Sequence, residues 1–227
     1  MDNLSNFYEE KNAEYFFVVR KDIIDLVREL NSKEPLSVLE VGAGGGNTLI
    51  ELKNLGIAKE VVGVDIVRLV NSYQDDPLMD NFIVGDIEKI ELPYPENYFD
   101  LIICADILEH LYDPWNAVKK LYKYLKQNGY FIASIPNIGH FSVLKKIFMD
   151  KDFRYENAGI LDKTHIRFFC RKNVIDLFEA NNLKVVKMIS NFELNKKSKS
   201  NILSKITHGY LSDLLTVRYL VVSQKYG

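Results

Sequence analysis

The run Leu36-Ser37-Val38-Leu39-Glu40-Val41-Gly42-Ala43-Gly44-Gly45-Gly46-Asn47 passes from a mainly apolar stretch into four glycines. The helical pattern Thr48 to Leu55 follows, so the segment reads as strand, tight turn and helix. Glycines at such a junction permit positive φ and let the backbone approach a ligand closely. Taken alone, the same glycines also describe a flexible turn.

The alternation continues on both sides of the turn. Upstream, Phe16, Val19, Ile23, Val27 and Leu30 recur at three- and four-residue steps and predict an amphipathic helix over Tyr15–Leu30. Downstream, Glu60–Asp65, Phe82–Gly85 and Phe99–Ala105 read as the second, third and fourth strands, with Pro93 and Pro95 marking a loop between the last two. A helix is expected over Pro114–Leu125, stopping at Asn128-Gly129, and a fifth strand over Tyr130–Ile135, closed by Pro136. Asn137–Phe169 is irregular and rich in aromatic and basic residues, which suggests a lobe over the crevice. A helical run Asn173–Asn181 follows. Leu183–Ile189 and Leu215–Val222 read as a closing hairpin, joined by the Lys- and Ser-rich connector Asn195–Ser204, expected to be a mobile solvated loop. Strands alternating with helices imply a mostly parallel sheet covered on both faces, with ligands bound where the carboxyl ends of the strands open.

The totals set the class. Hydrophobic residues are 47% of the 227, enough for a sizeable core without disulfides or a structural metal. One domain over 1–227 is expected: a helical region (1–35), a cofactor-binding core (36–136), an acceptor-side lobe (137–182) and the hairpin (183–227). Lys and Arg number 29 against 31 Asp and Glu, giving a formal charge of -2 and no electrostatic case for nucleic acid as the main partner. A small or carrier-linked substrate fits better. Cys104 and Cys170 match neither a disulfide framework nor a paired-cysteine zinc site, so a reducing cytoplasm is the expected location. Met1-Asp2-Asn3-Leu4-Ser5 lacks a basic segment leading into an apolar run, and no stretch is long enough to span a bilayer. Neither export nor integral membrane insertion is expected. Oligomeric state is not legible.

Acidic residues follow the later strands on schedule. Asp65 in Gly63-Val64-Asp65-Ile66 can accept both hydroxyl protons of a ribose, and Asp86 in Gly85-Asp86-Ile87-Glu88 can accept from an exocyclic adenine amine. Each alone also reads as a solvated loop residue or a helix cap. Together they outline an adenosine site. With these motifs in order from Val38 to Ile135, the chain resembles the class I S-adenosylmethionine (SAM)-dependent methyltransferases, in which an acidic residue is followed by glycines at alternate positions, here Glu40, Gly42, Gly44 and Gly46. The resemblance implies a Rossmann-like α/β fold, a mostly parallel seven-stranded sheet with helices on both faces and an inserted lobe after strand five. It places Gly42 and Gly44 near the methionine part of SAM, Asp65 at the ribose, and Asp86 with Ile87 at the adenine ring, with Glu40, Ala43, Gly46 and Ile66 also in the cofactor site. Arg20 would pair with the methionine carboxylate, or else is a solvated surface arginine. A dinucleotide fingerprint would place its third glycine where Asn47 stands, which disfavours a nicotinamide-dependent oxidoreductase.

Cys104-Ala105-Asp106-Ile107-Leu108-Glu109-His110-Leu111 resembles the corresponding segment of ubiquinone-pathway O-methyltransferases, and there Cys104 and Ala105 would line the cofactor site. His110 is a candidate general base or, equally, a histidine that holds the helix start by a local hydrogen bond. Asp106, Glu109 and His110 fall at i, i+3 and i+4, the spacing of a divalent-metal site on a helix face, but the quinone-pathway relatives carry a longer Glu where Asp106 stands, so no metal is expected and the three are candidates only. Leu161-Asp162-Lys163-Thr164-His165-Ile166-Arg167-Phe168-Phe169 resembles a stretch of methyltransferases associated with bacterial surface-sugar assembly. His165 and Arg167 would position a hydroxylated or anionic acceptor, or Asp162, Thr164 and Arg167 would brace the lobe. The expected reaction moves a methyl group from SAM to an oxygen of a small or sugar-like acceptor, leaving S-adenosylhomocysteine. A catalytically inactive SAM-binding protein has the same cofactor motifs.

Overall fold

The computed structural model describes residues 17–30, 32–194 and 198–226. Seven strands form one sheet: β1 (Leu36–Val41), β2 (Ala58–Asp65), β3 (Asn81–Val84), β4 (Phe99–Ala105), β5 (Leu125–Pro136), β6 (Leu183–Ser190) and β7 (Arg218–Lys225). Their order is β3-β2-β1-β4-β5-β7-β6, with β1 to β5 parallel and β7 antiparallel to both neighbours. The order reverses between β1 and β4, where an open α/β sheet leaves its ligand crevice.

All six residues of β1 are buried, as a central parallel strand requires when both faces are covered. Alternate side chains feed two cores. Leu39, Val41, Ile102, Cys104, Phe131 and Ala133 meet α3 (Pro114–Tyr124) and α5 (Arg171–Glu179) through Val118, Leu121, Val174 and Phe178. On the other face, Val38, Leu101, Ile103 and Ile132 meet α1 (Lys21–Glu29) and α2 (Asn47–Asn54) through Ile23, Val27, Leu49 and Leu52. Each such aliphatic side chain contributes on the order of 1.5–3 kcal/mol on burial.

Three expectations about elements are corrected. Among the described residues the predicted helix is formed only from Lys21, because Arg20 is not helical (φ -80, ψ 79) and its N–H is held by Thr48 Oγ1 at 3.2 Å. Tyr15 and Phe16 lie outside the described residues. Asn128-Gly129 does not stop a helix, because β5 already runs from Leu125. Asn128 (φ +61) instead sits in an irregularity where Phe99 pairs with Leu125 but Leu101 pairs with Tyr130. The Lys- and Ser-rich connector holds helix α6 (Lys199–Ile206), capped by the Ser198 hydroxyl, which accepts from the Asn201 N–H at 3.1 Å. Its residues 195–197 lie outside the described residues. A four-residue turn of helix, α7 (Ser212–Leu215), then leads to β7, so β6 and β7 pair as expected but without a tight turn. The lobe after β5 contains one short α-helix, α4 (Phe141–Lys145), continued by a π-helical turn over Lys146–Asp150, and is otherwise irregular up to α5. Among the described residues no helix is long and apolar enough to cross a membrane.

Candidate active site

A cavity of about 380 Å³ opens at the carboxyl ends of β1, β2 and β4, at the point where strand order reverses. Its glycine end is shaped by the β1–α2 turn. The N–H groups of Gly42 and Ala43 both donate to the Val64 carbonyl, at 2.8 and 3.2 Å, which folds the turn against β2. Gly42 has φ +74, and a Cβ there would stand 3.0 Å from Ile107 Cβ. Asp65 pins the turn from the next strand: Oδ2 accepts from the Gly44 N–H at 2.8 Å and Oδ1 from the Val67 N–H at 3.1 Å. Burial raises the Asp65 pKa, and these backbone donors oppose the rise. Gln74, buried, donates from Nε2 to the Gly44 carbonyl at 2.7 Å and to the Val67 carbonyl at 3.2 Å.

Glu40 is 3% exposed at the end of β1, and its Oε2 has no hydrogen-bond partner. Burial pushes its carboxyl up to about 8, with the Arg20 charge opposing and the Asp65 charge adding to the shift. Arg20 grips Asp22 with Nε and Nη2 at 2.9 and 2.8 Å and reaches Asp106 with Nη1 at 2.6 Å. It is therefore no free solvated cation.

Asp106 has φ +56 and joins three elements. Oδ2 takes Arg20 and, at 2.9 Å, Arg218 from β7, while Oδ1 accepts from the Ser134 hydroxyl at 2.7 Å. These partners take Asp106 out of the candidate metal set: it is spent on two guanidiniums and lies outside the helical spacing considered for it, because the chain passes through a left-handed residue into a single tight turn, Leu108–His110. Asp86 caps the turn after β3, its Oδ1 accepting from the Glu88 N–H at 3.0 Å and its Oδ2 pairing with Lys89 Nζ at 2.6 Å, so the cap reading holds while Asp86 also lines the cavity.

The opposite end of the cavity comes from two remote segments. The N–H groups of Ile166 and Arg167 both donate to the Glu109 carbonyl at 3.0 Å, tying the lobe to the post-β4 turn. That seam brings His165 to His110 with ring centroids 4.7 Å apart at 72°. His110 Nδ1 faces the Thr164 carbonyl and His165 Nδ1 the Ile160 carbonyl, each at 3.0 Å. Glu109 is 1% exposed, neither carboxylate oxygen has a hydrogen-bond partner, and Oε1 lies 3.8 Å from His165 Nε2. Burial, reinforced by the charge of Asp106, holds the Glu109 carboxyl well above the usual carboxylate range. One ligand atom from each of Glu109, His110 and His165 lies within 4.8 Å of the others. The bracing reading of the lobe holds in part: Asp162 Oδ1 accepts from the Thr164 N–H at 2.8 Å and its hydroxyl at 2.6 Å, but Arg167 reaches away to the Tyr112 carbonyl at 2.9 Å.

Of the residues expected from the sequence, Arg20, Glu40, Gly42, Ala43, Gly44, Asp65, Ile66, Asp86, Ile87 and Ala105 line this one cavity, with Glu109, His110 and His165 opposite. Two do not. Cys104 points into the core because neighbouring strand residues face opposite sides of the sheet. Gly46 starts α2 at φ +82 behind the cavity wall. Sequence reading missed Thr48, Arg218 and the bracing Gln74. Thr48 alone carried a signal, as a polar residue in the first turn after the glycine loop.

A family model described as a methyltransferase domain matches residues 13–188. The uncharacterized methyltransferase YcgJ of Bacillus subtilis is 27% identical over 184 residues, covering 76% of this chain and 69% of that protein. The ubiquinone/menaquinone biosynthesis C-methyltransferase UbiE of Vibrio campbellii is 31% identical over 98 residues, covering 40% of this chain and only 38% of that protein. Among solved structures, the 1,6-didemethyltoxoflavin-N1-methyltransferase of Burkholderia thailandensis, with bound 1,6-didemethyltoxoflavin and S-adenosylhomocysteine, has a TM-score of 0.65 at 14% identity. The match covers 100% of this chain and 86% of that one and speaks for the fold. The family match also disposes of the nicotinamide-dependent alternative. Residues 13–188 take in β1 to β5 and the whole cavity wall except Val217 and Arg218, and the chain belongs to the methyltransferase-domain family.

Proposed function

We propose that the protein is a SAM-dependent methyltransferase acting on an oxygen of a small or sugar-like acceptor. The observation that carries this reading is the single chamber: the glycine turn, Asp65 and Glu40 share it with His110, His165 and Glu109. The residues at the glycine end fit a cationic adenosine-containing cofactor. Glu40 Oε2 is a buried acceptor without a partner, suited to a ligand carrying positive charge. A carboxylate offers about four lone-pair sites and Asp65 uses two on backbone N–H groups, which leaves capacity for two ribose hydroxyls. Ile87 is buried beneath Asp86 and supplies an apolar surface for the adenine. Of the five N–H donors of Arg20, three are engaged, and the others suit the methionine carboxylate. When bound, SAM supplies an electrophilic methyl group on a sulfonium.

The residues opposite handle the acceptor. With Nδ1 of each histidine facing a carbonyl, the ring proton belongs on Nδ1 and the lone pair on Nε2. Nε2 of His110 or His165 takes the proton of the acceptor hydroxyl, a contribution typically worth about 10²–10⁴-fold in rate. Ala158, Gly159 and Ile160 of the lobe line this end. A carbon acceptor activated by loss of a phenolic proton is the second reading, favoured by the similarity to UbiE, a C-methyltransferase.

Calorimetric titration with SAM and S-adenosylhomocysteine tests the cofactor half of this reading, and methyl-labelled SAM with a panel of phenols and sugars tests the rest. Saturable binding with label transfer is expected, and NMR of the product separates an O-methyl from a C-methyl group. A folded protein that binds neither nucleoside overturns the proposal. Binding without transfer across the panel favours the inactive SAM-binding alternative.

A further inference from the structure

We infer that Glu109, His110 and His165 form a divalent-cation site, with the Glu109 carboxylate and the two histidine Nε2 atoms as ligands and an open position facing the cavity. Three observations converge on it. First, Glu109 is almost wholly buried and aimed into the cluster, and neither of its oxygens has a hydrogen-bond partner. Burying such a group without a hydrogen bond is costly, and a bound cation would meet it and release to solvent the proton that burial keeps on it. Second, each imidazole presents Nδ1 to a backbone carbonyl at 3.0 Å, the arrangement that fixes ring orientation and tautomer in metal-ligating histidines and turns Nε2 toward the metal. Third, the ligand atoms already lie within 4.8 Å of one another, and His165 Nε2 and Glu109 Oε1 are 3.8 Å apart. Tetrahedral bonds of about 2.0–2.1 Å place ligand atoms roughly 3.4 Å apart, a contraction that side-chain rotation supplies.

The donor set defines the class of ion. Two imidazole nitrogens and one carboxylate suit a borderline transition metal such as Zn²⁺ and not Mg²⁺ or Ca²⁺, which take oxygen ligands. The site differs from a metal site read along the sequence, because Asp106 is committed to Arg20 and Arg218 and the third ligand comes from the lobe. Three protein ligands leave a coordination position for an oxygen of the acceptor. This last step rests on the proposed methyltransferase function. The cation site itself does not. A bound cation would occupy both Nε2 lone pairs and would itself acidify an acceptor hydroxyl in the open position, so the proton-accepting role given above to His110 or His165 belongs to the chain without the cation.

The test uses the full chain, stripped with a chelator and then titrated with Zn²⁺ against a chromophoric competitor. One Zn²⁺ per chain is expected, and of the four histidines in the chain only His110 and His165 should shift their imidazole ¹⁵N signals. The NMR readout uses unaltered protein and does not depend on variants folding. His165→Gln and Glu109→Gln should each weaken Zn²⁺ at least about 100-fold while binding SAM as the unaltered chain does. No saturable uptake, shifts confined to His140 or His208, or uptake unaffected by both variants would overturn the site. Failure of the unaltered chain to bind SAM would remove the proposed function and leave the cation site standing.

Discussion

The two ends of the cavity are built by different means. At the glycine end a contiguous turn sets the geometry: backbone N–H groups of Gly42 and Ala43 go to Val64, and Asp65 pins Gly44. At the acceptor end, residues 54 and more apart in sequence meet only because the lobe docks on the Glu109 carbonyl. The first end is made of backbone whose polar groups are paired. The second presents buried titratable side chains, one of them unpaired. The cofactor end therefore follows from local sequence, whereas the acceptor end exists only after tertiary closure, and changes at one end should leave the other intact.

The sharpest separation is expected from His165→Ala. Turnover should fall by about 10²–10⁴-fold, the range for a lost proton-handling group, while calorimetric SAM affinity stays within about twofold. An equal loss of SAM affinity would break the distinction between the ends. Asp65→Ala is the converse probe. It removes the acceptor of the Gly44 and Val67 N–H groups as well as the proposed ribose contacts, so SAM affinity should drop on the order of 100-fold. Binding within threefold of the unaltered chain would show that the turn holds its shape without Asp65.

The same division explains what was legible in the sequence. β1, β4 and the glycine turn could be placed closely because apolar period and glycine position are local signals. Asp106 could not be read that way. Its i, i+3, i+4 relation to Glu109 and His110 presumes a helix, but φ +56 at Asp106 breaks the period, and its partners come from the N-terminal segment, β5 and β7. The proximity of His165 to Glu109 and the bracing by Gln74 likewise depend on how remote segments pack, which periodicity does not encode. Asn128-Gly129 misled for a subtler reason: a positive φ serves a strand irregularity as well as a helix end.

Glu40 lies between the two descriptions, a side chain at the backbone-built end that is buried without a full set of partners. Its carboxyl, pushed up to about 8, is protonated in the folded chain across a pH range where the unfolded chain is ionised. The folded state then binds more protons, so stability falls as pH rises from the ordinary glutamate range toward 8. Between pH 5.5 and 7 this one group should cost about 2 kcal/mol. Glu109 acts in the same sense, so the difference in denaturation slopes between the unaltered chain and Glu40→Gln isolates Glu40. Identical slopes would remove Glu40 as the source. A cationic cofactor beside Glu40 lowers its pKa again, so SAM binding at pH 7 should release protons, measurable by calorimetry in buffers of different ionisation enthalpy.

The smallest effect expected is the most specific to how the glycine end is made. Gly46 holds φ +82 at the start of α2 but does not line the cavity. In Gly46→Ala the new Cβ would stand 2.7 Å from Met79 Cε, the flexible end of a side chain that can move aside, and in ordinary contact with Tyr73 at 3.5 and 3.6 Å. The remaining cost is the left-handed backbone, about 1–2 kcal/mol, or roughly 2–8 °C in Tm for a chain of this size. SAM affinity should stay within about twofold. Gly42→Ala pays the same backbone cost, but its Cβ is driven against Ile107 Cβ, Cγ1 and Cδ1 at 3.0–3.2 Å, at the root of the turn that carries Glu109 and His110. It should therefore disturb both ends of the cavity, reducing SAM affinity and turnover together. If the two glycine variants behaved alike in SAM binding, the contact between Gly42 and Ile107 would not be what couples the ends.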